Sequence, residues 1–118
     1  MSDPTAAPEP IPEVLARLLK LVGGPRDNAL LHHAIGSEWM KAGRPREAAA
    51  ALHTALARDP NFSAAWKLLG KALLEDGDND AACAAWQQGI VVAEARGDVQ
   101  AAKEMQVFLR RVGRATGA

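Results

Sequence analysis

Residues 29–62 read ALLHHAIGSEWMKAGRPREAAAALHTALARDPNF, and residues 63–96 read SAAWKLLGKALLEDGDNDAACAAWQQGIVVAEAR. Displaced by 34 residues, the first stretch meets the second at its small and apolar positions. Gly36 falls on Gly70, Gly43 on Gly77, Ala48 on Ala82, Ala50 on Ala84 and Ala51 on Ala85, with Ile35 on Leu69, Leu52 on Trp86 and Ala55 on Gly89. A fixed period of this length marks a repeat architecture of helix–turn–helix units. The expected fold class is all-α, and the functional expectation moves from catalysis towards binding.

Punctuation residues divide the repeats into helices. One helix starts near Asp27 or Asn28, either of which can cap free backbone amides, and runs to about Lys41 before Gly43. Pro45 opens the next, which ends at Asp59-Pro60 because proline lacks the N–H and clashes with the preceding turn. The third starts near Asn61 and runs to about Asp76, with Gly77 as breaker. The fourth, capped by Asp78 or Asn79, runs to about Arg96. On either side, Ile11, Val14, Leu15, Leu18, Leu19 and Val22 recur at helical spacing, as do Val99, Ala102, Met105, Phe108, Leu109 and Val112. These are about six helices in a single domain over residues 11–112. It comprises a covering helix at 11–24, repeats at 29–62 and 63–96, and a capping helix at 98–112. Residues 1–10, rich in Pro, Ala and acid, are expected to be a disordered tail, and 113–118 a flexible one.

The packing residues resemble the tetratricopeptide repeat family. The first unit carries His32, Ile35-Gly36, Trp39, Ala48, Leu52, Ala55 and Pro60, and the second carries Trp66, Leu69-Gly70, Leu73, Ala82, Trp86, Gly89 and Glu94. Two departures stand out. His32 occupies a bulky apolar position, and Glu94 replaces proline, so the fourth repeat helix is expected to outrun its counterpart. Glycine inside a helix costs about 1 kcal/mol relative to alanine. Gly36 and Gly70 therefore imply close helix contact, with Trp39, Leu52, Trp66 and Trp86 filling the space between hairpins. The resemblance implies an α-α superhelix of stacked hairpins, because one helical pair cannot bury its apolar face alone.

It also implies a concave face lined by the first helix of each unit. In the first unit the stripe is Leu30, His33, Ser37, Met40 and Lys41; in the second it is Ala64, Lys67, Lys71, Leu74 and Glu75. Stacking of the last helix as a third first-helix would add Ala101 and Met105. The expected binding set is Leu30, His33, Ser37, Met40, Lys41, Lys67, Lys71 and Leu74. The expected function is a non-catalytic protein–protein interaction module, an adaptor, scaffold or co-chaperone-like protein. The alternative is an assembly subunit that self-associates through its end helices. A clamp for a terminal carboxylate, as in some members of that family, is disfavoured. His33 and Ser37 stand where Lys and Asn would be, and the basic pair Lys67 and Lys71 falls one repeat early.

Other chemistries find little support. Cys83 is the one cysteine, which excludes an internal disulfide, and in an alanine-rich helix it reads as a small buried hydrophobe. His32 and His33 are adjacent, so on a helix they point about 100° apart, and no clustered ligand motif accompanies them. Asp76, Asp78 and Asp80 faintly suggest a calcium loop, but Gln87 stands where its closing glutamate belongs. Phosphate loops, nucleophile elbows and dinucleotide fingerprints are absent, so neither an enzyme nor a cofactor or metal is expected. Fourteen basic and 14 acidic residues balance, so no global field favours nucleic acid or an anionic membrane. Lys103, Arg110, Arg111 and Arg114 suit a helix C-terminus. No signal-like segment or membrane span is read. The expectation is a cytoplasmic monomer or weak homodimer with a protein or peptide partner.

Overall fold

The computed structural model describes residues 11–115, and the two expected tails lie outside them except for residues 113–115. Six helices and no strand occur among the described residues: α1 (Glu13–Leu19), α2 (Ala29–Lys41), α3 (Pro45–Arg58), α4 (Ser63–Glu75), α5 (Asn79–Arg96) and α6 (Val99–Ala115). Each packs on the next in chain order, while α2 also touches α4 and α4 touches α6. The first helices of successive units thus lie side by side, and their partners α3 and α5 form a second layer. The shortest dimension, 18 Å, is about two helix diameters.

Helix ends follow their sequence signals. Gly43 and Gly77 adopt φ of 73° and 86°, a region costly for residues with a side chain. At each, the chain turns back to satisfy orphan carbonyls: Arg44 N–H donates to Trp39 O at 2.9 Å, and Asp78 N–H to Leu73 O at 2.9 Å. Asn28 Oδ1 accepts from Leu31 N–H at 2.9 Å and Asp78 Oδ1 from Ala81 N–H at 3.1 Å, so these residues are the caps. With Glu94 in place of proline, α5 runs for 18 residues against 14 in α3.

The core is three apolar clusters joined by aromatic side chains. Trp39 packs against both the α1–α2 cluster and the cluster of α2 to α5 built on Leu52, Leu56 and Leu69. Trp66 and Leu73 bridge that second cluster to the one built on Trp86, Ala102 and Met105. Trp86 and Leu52 are fully buried, while Trp39 and Trp66 are half-buried seams between units.

The flanking helices depart from expectation. α1 is regular over seven residues only; from Leu21 to Gly24 the chain tightens into three-residue turns. It packs on α2 alone, with Leu15 buried while Ile11, Val14 and Val22 stay exposed. Helix α6 continues past Val112 through Gly113 to Ala115. Cys83 is half-buried against the α5–α6 cluster rather than fully enclosed.

Candidate functional site

Helices α2, α4 and α6 lie side by side, and the expected stripe falls on the first two of them. On α2, Leu30 is 65% exposed. His33 is half-buried, with its ring centroid 4.9 Å from that of Phe62. Burial, then the positive charge of Lys67, holds the His33 pKa below the ordinary imidazole value. Ser37 is half-buried, and Met40 packs against the central cluster. Lys41 points to solvent and pairs with Glu38 at 2.9 Å. The eight expected residues therefore lie on two neighbouring helices. His33 and Lys67 are close enough to sense one another, while Lys41 is engaged on its own helix.

The third helix presents a different face from the one expected. Ala101 and Met105 are buried rather than lining the groove, and a Cβ added to Gly89 of α5 would come 2.5 Å from the Met105 sulfur. Glu104 and Phe108 take their place. Lys67 Nζ lies 3.1 Å from Glu104 Oε2, and that ammonium is the main cause of the lowered Glu104 pKa. Lys71 Nζ sits 4.9 Å from the centroid of Phe108, a cation–π contact. The reason is the connection. Four residues, 59–62, join α3 to α4, whereas Gly97 and Asp98 alone join α5 to α6. With α5 four residues longer than α3 and its connection two shorter, the spacing from Ser63 to Val99 is 36 rather than 34, and positions counted at 34 fall on the buried face of α6.

A pocket of about 200 Å³ opens between α4 and α6, lined by Lys71, Leu74, Phe108, Arg111 and Val112. Its floor is Trp86, whose indole N–H donates to Lys67 O at 3.1 Å and whose ring centroid lies 5.3 Å from that of Phe108. Sequence reading missed Glu104, Phe108 and Arg111 as the residues of α6 that face α4. The available signal was the two-residue connection before α6, which breaks the period.

Asp27 organises the opposite end. Its carboxylate accepts from Gly23 N–H at 2.7 Å, lies 2.6 Å from His32 Nε2 and pairs with Arg58. The Gly23 amide, then the His32 hydrogen bond and the charges of Arg58 and His32, hold the Asp27 carboxyl below its usual range despite burial. One side chain thus ties the exit of α1 to α2 and to the end of α3, which explains a histidine at a bulky apolar position. A similar tie holds α6: Asp98 accepts from Ser63 Oγ at 2.8 Å and from Ala101 N–H at 3.2 Å. Asp76 pairs with Arg46 at 3.5 Å, so the acids around Gly77 serve as a cap and an interhelical contact. Among the described residues no group of three or more His, Cys, Asp or Glu is arranged to hold a metal ion, and no helix is long and apolar enough to cross a membrane.

The family model described as "Tetratricopeptide repeat" matches residues 33–102. The TPR repeat-containing protein PA0015 of Pseudomonas aeruginosa is 46% identical over 98 residues, covering 83% of this chain and 93% of its own length. The solution structure of protein BPP2914 from Bordetella parapertussis is 40% identical with a TM-score of 0.77, covering 86% of this chain and 89% of that one. The crystal structure of MamA, at 19% identity and a TM-score of 0.62, covers 87% of this chain and 68% of its own; it shares the fold.

Proposed function

This chain belongs to the tetratricopeptide repeat family, whose members generally mediate protein–protein interaction, and on that premise we propose that it is a non-catalytic adaptor or scaffold. It binds a peptide or protein segment across α2, α4 and α6, through the stripe from Leu30 and His33 to Lys71 and Leu74. The observation that carries this reading is a row on stacked helices in which exposed Leu30 and Lys71 stand beside the half-buried rings of His33, Phe62 and Phe108. No nucleic acid, membrane or cofactor enters the reading, and the compartment it implies is the cytoplasm.

Affinity capture from the source cell tests it, with the wild type beside the Lys67→Glu, Lys71→Glu double variant. Because Lys67 pairs with Glu104, a second variant carries Lys67→Glu with Glu104→Lys, which exchanges the pair without leaving like charges together. The double variant should lose its partner while keeping its helicity. Undiminished capture would overturn the groove.

A second reading is favoured by one observation: Ile11, Val14 and Val22 are exposed on or just beyond the ends of α1, and Val22 borders an apolar hollow of about 350 Å³ beside α2 and α3. Self-association through that end would hide them, leaving a monomer or weak homodimer in balance. Light scattering at rising concentration distinguishes this from the adaptor reading.

A further inference from the structure

Accepting the groove reading, we infer that the bound segment is anchored between the C-terminal parts of α4 and α6. A bulky apolar residue, flanked on each side by an acidic one, enters the pocket floored by Trp86. The floor is preformed. Trp86 is 1% exposed, is held by its bond to the Lys67 carbonyl, and lies so close to Gly70 that not even a Cβ fits between them. An apolar group can enter without ordering these side chains first, which removes a usual cost of binding. Leu74, Phe108 and Val112 supply carbon-rich walls.

The rim sets the charge of the partner. Lys71 stands on the α4 wall and Arg111 on the α6 wall, both exposed. Lys67, one turn before Lys71, is committed to Glu104. Among the described residues Lys71 and Arg111 form no ion pair, Lys71 resting on the Phe108 ring instead, so the positive charge of this face not paired with a carboxylate gathers at the pocket. Two cations on opposite walls are matched by carboxylates on both sides of the anchor. A single carboxylate at a chain end would serve only one of them well. The partner is therefore an internal segment of the pattern acid–bulky apolar–acid.

The test is amide and indole NMR of the full chain with synthetic peptides blocked at both ends. The reference probe is acetyl-Ala-Glu-Glu-Leu-Glu-Glu-Ala-amide; one variant replaces Leu by Ala and another replaces every Glu by Lys. The reference peptide should shift Lys71, Leu74, Phe108, Arg111 and the Trp86 indole N–H. The Ala version should bind at least about tenfold more weakly, since the buried leucine is lost. Arg111→Glu, at an exposed site, should weaken the reference peptide about tenfold and improve the lysine peptide. Equal binding of the Leu and Ala peptides, or indifference to Arg111→Glu, would overturn the anchor. Stronger binding by a peptide ending in a free Leu carboxylate would overturn the internal segment. Shifts confined to Leu30, His33 and Ser37 would sink the anchor and leave the groove standing. A complete absence of shifts would sink the anchor too, while the groove itself is judged by the capture experiment.

Discussion

The two hairpins place glycine at the same point and close it with different side chains. In the first, a Cβ on Gly36 would meet Leu52 Cγ at 2.8 Å; in the second, a Cβ on Gly70 would fall inside the Trp86 indole. Leucine can yield only by shifting its branch point, and Ala48 O lies 3.3 Å away on the other helix as well. The indole cannot, because its N–H is bonded to the Lys67 carbonyl and its ring is enclosed by Phe108 and the α5–α6 cluster. The polar ties differ in the same sense. The first hairpin hangs on the carboxylate of Asp27 together with His32 and Arg58. In the second, Trp66 Nε1–H donates to Pro60 O at 2.8 Å, and Arg96 donates to Asn61 O. A shared period thus fixes where helices touch and leaves open how firmly each contact is held.

The largest expected effect is truncation of the two opposing side chains. Trp86→Ala should lower stability by about 4 kcal/mol and Leu52→Ala by about 3 kcal/mol, since both are fully buried and leave cavities. Urea denaturation measures both, and a smaller loss for Trp86 would reverse the ranking of the hairpins. Next come the glycines. Gly70→Ala should cost about 2 kcal/mol by overpacking. Gly36→Ala should cost about 1 kcal/mol, less than Gly70→Ala, because its closest approach is 2.8 Å rather than 2.1 Å and the helix-propensity gain offsets part of the displacement of Leu52. Thermal melts that rank the two alike would dissolve the contrast.

These glycines were legible in sequence because a helix tolerates glycine poorly, so its recurrence at a fixed offset needs a packing cause. The six helices were legible for the same kind of reason: proline, glycine and capping side chains act locally. The face of α6 was not. It depends on the length of the connection between α5 and α6, and the extra turn of α5 left only Gly97 and Asp98 to make it. Positions carried forward by the repeat offset therefore landed on buried Ala101 and Met105. The pair of Asp27 and His32 was also hidden. An aspartate beside Asn28 looks like a cap, and only the fold shows that Asn28 takes that role while Asp27 reaches across to Arg58.

The smallest expected effect is in pH dependence, and it too separates the units. His33, in the first hairpin, has its pKa lowered in the folded state. Between that lowered value and about 6.5 the unfolded chain binds more protons, so stability falls as pH drops through this range. Asp27 is likewise lowered, so the stability it contributes is present above its unfolded value and is lost as pH falls through the folded one. Acid should thus weaken the first hairpin in two steps. Melting temperatures followed against pH should lose the near-neutral step in His33→Gln and show a shallower acidic step in Asp27→Asn, the remainder coming from Glu47, Asp98 and Glu104, whose carboxyls are lowered as well. An unchanged profile in either variant would remove that residue from the account.

Trp86 joins the floor of the pocket to the seam of the second hairpin, and this gives the molecule a built-in optical reporter. Its enclosed indole should emit at the blue edge of the tryptophan range and resist collisional quenchers. Trp39 and Trp66, half-buried at the seams, should emit further to the red and be quenched more readily. A side chain settling into the pocket would touch one fluorophore of the three, so occupancy could be followed without attaching a label.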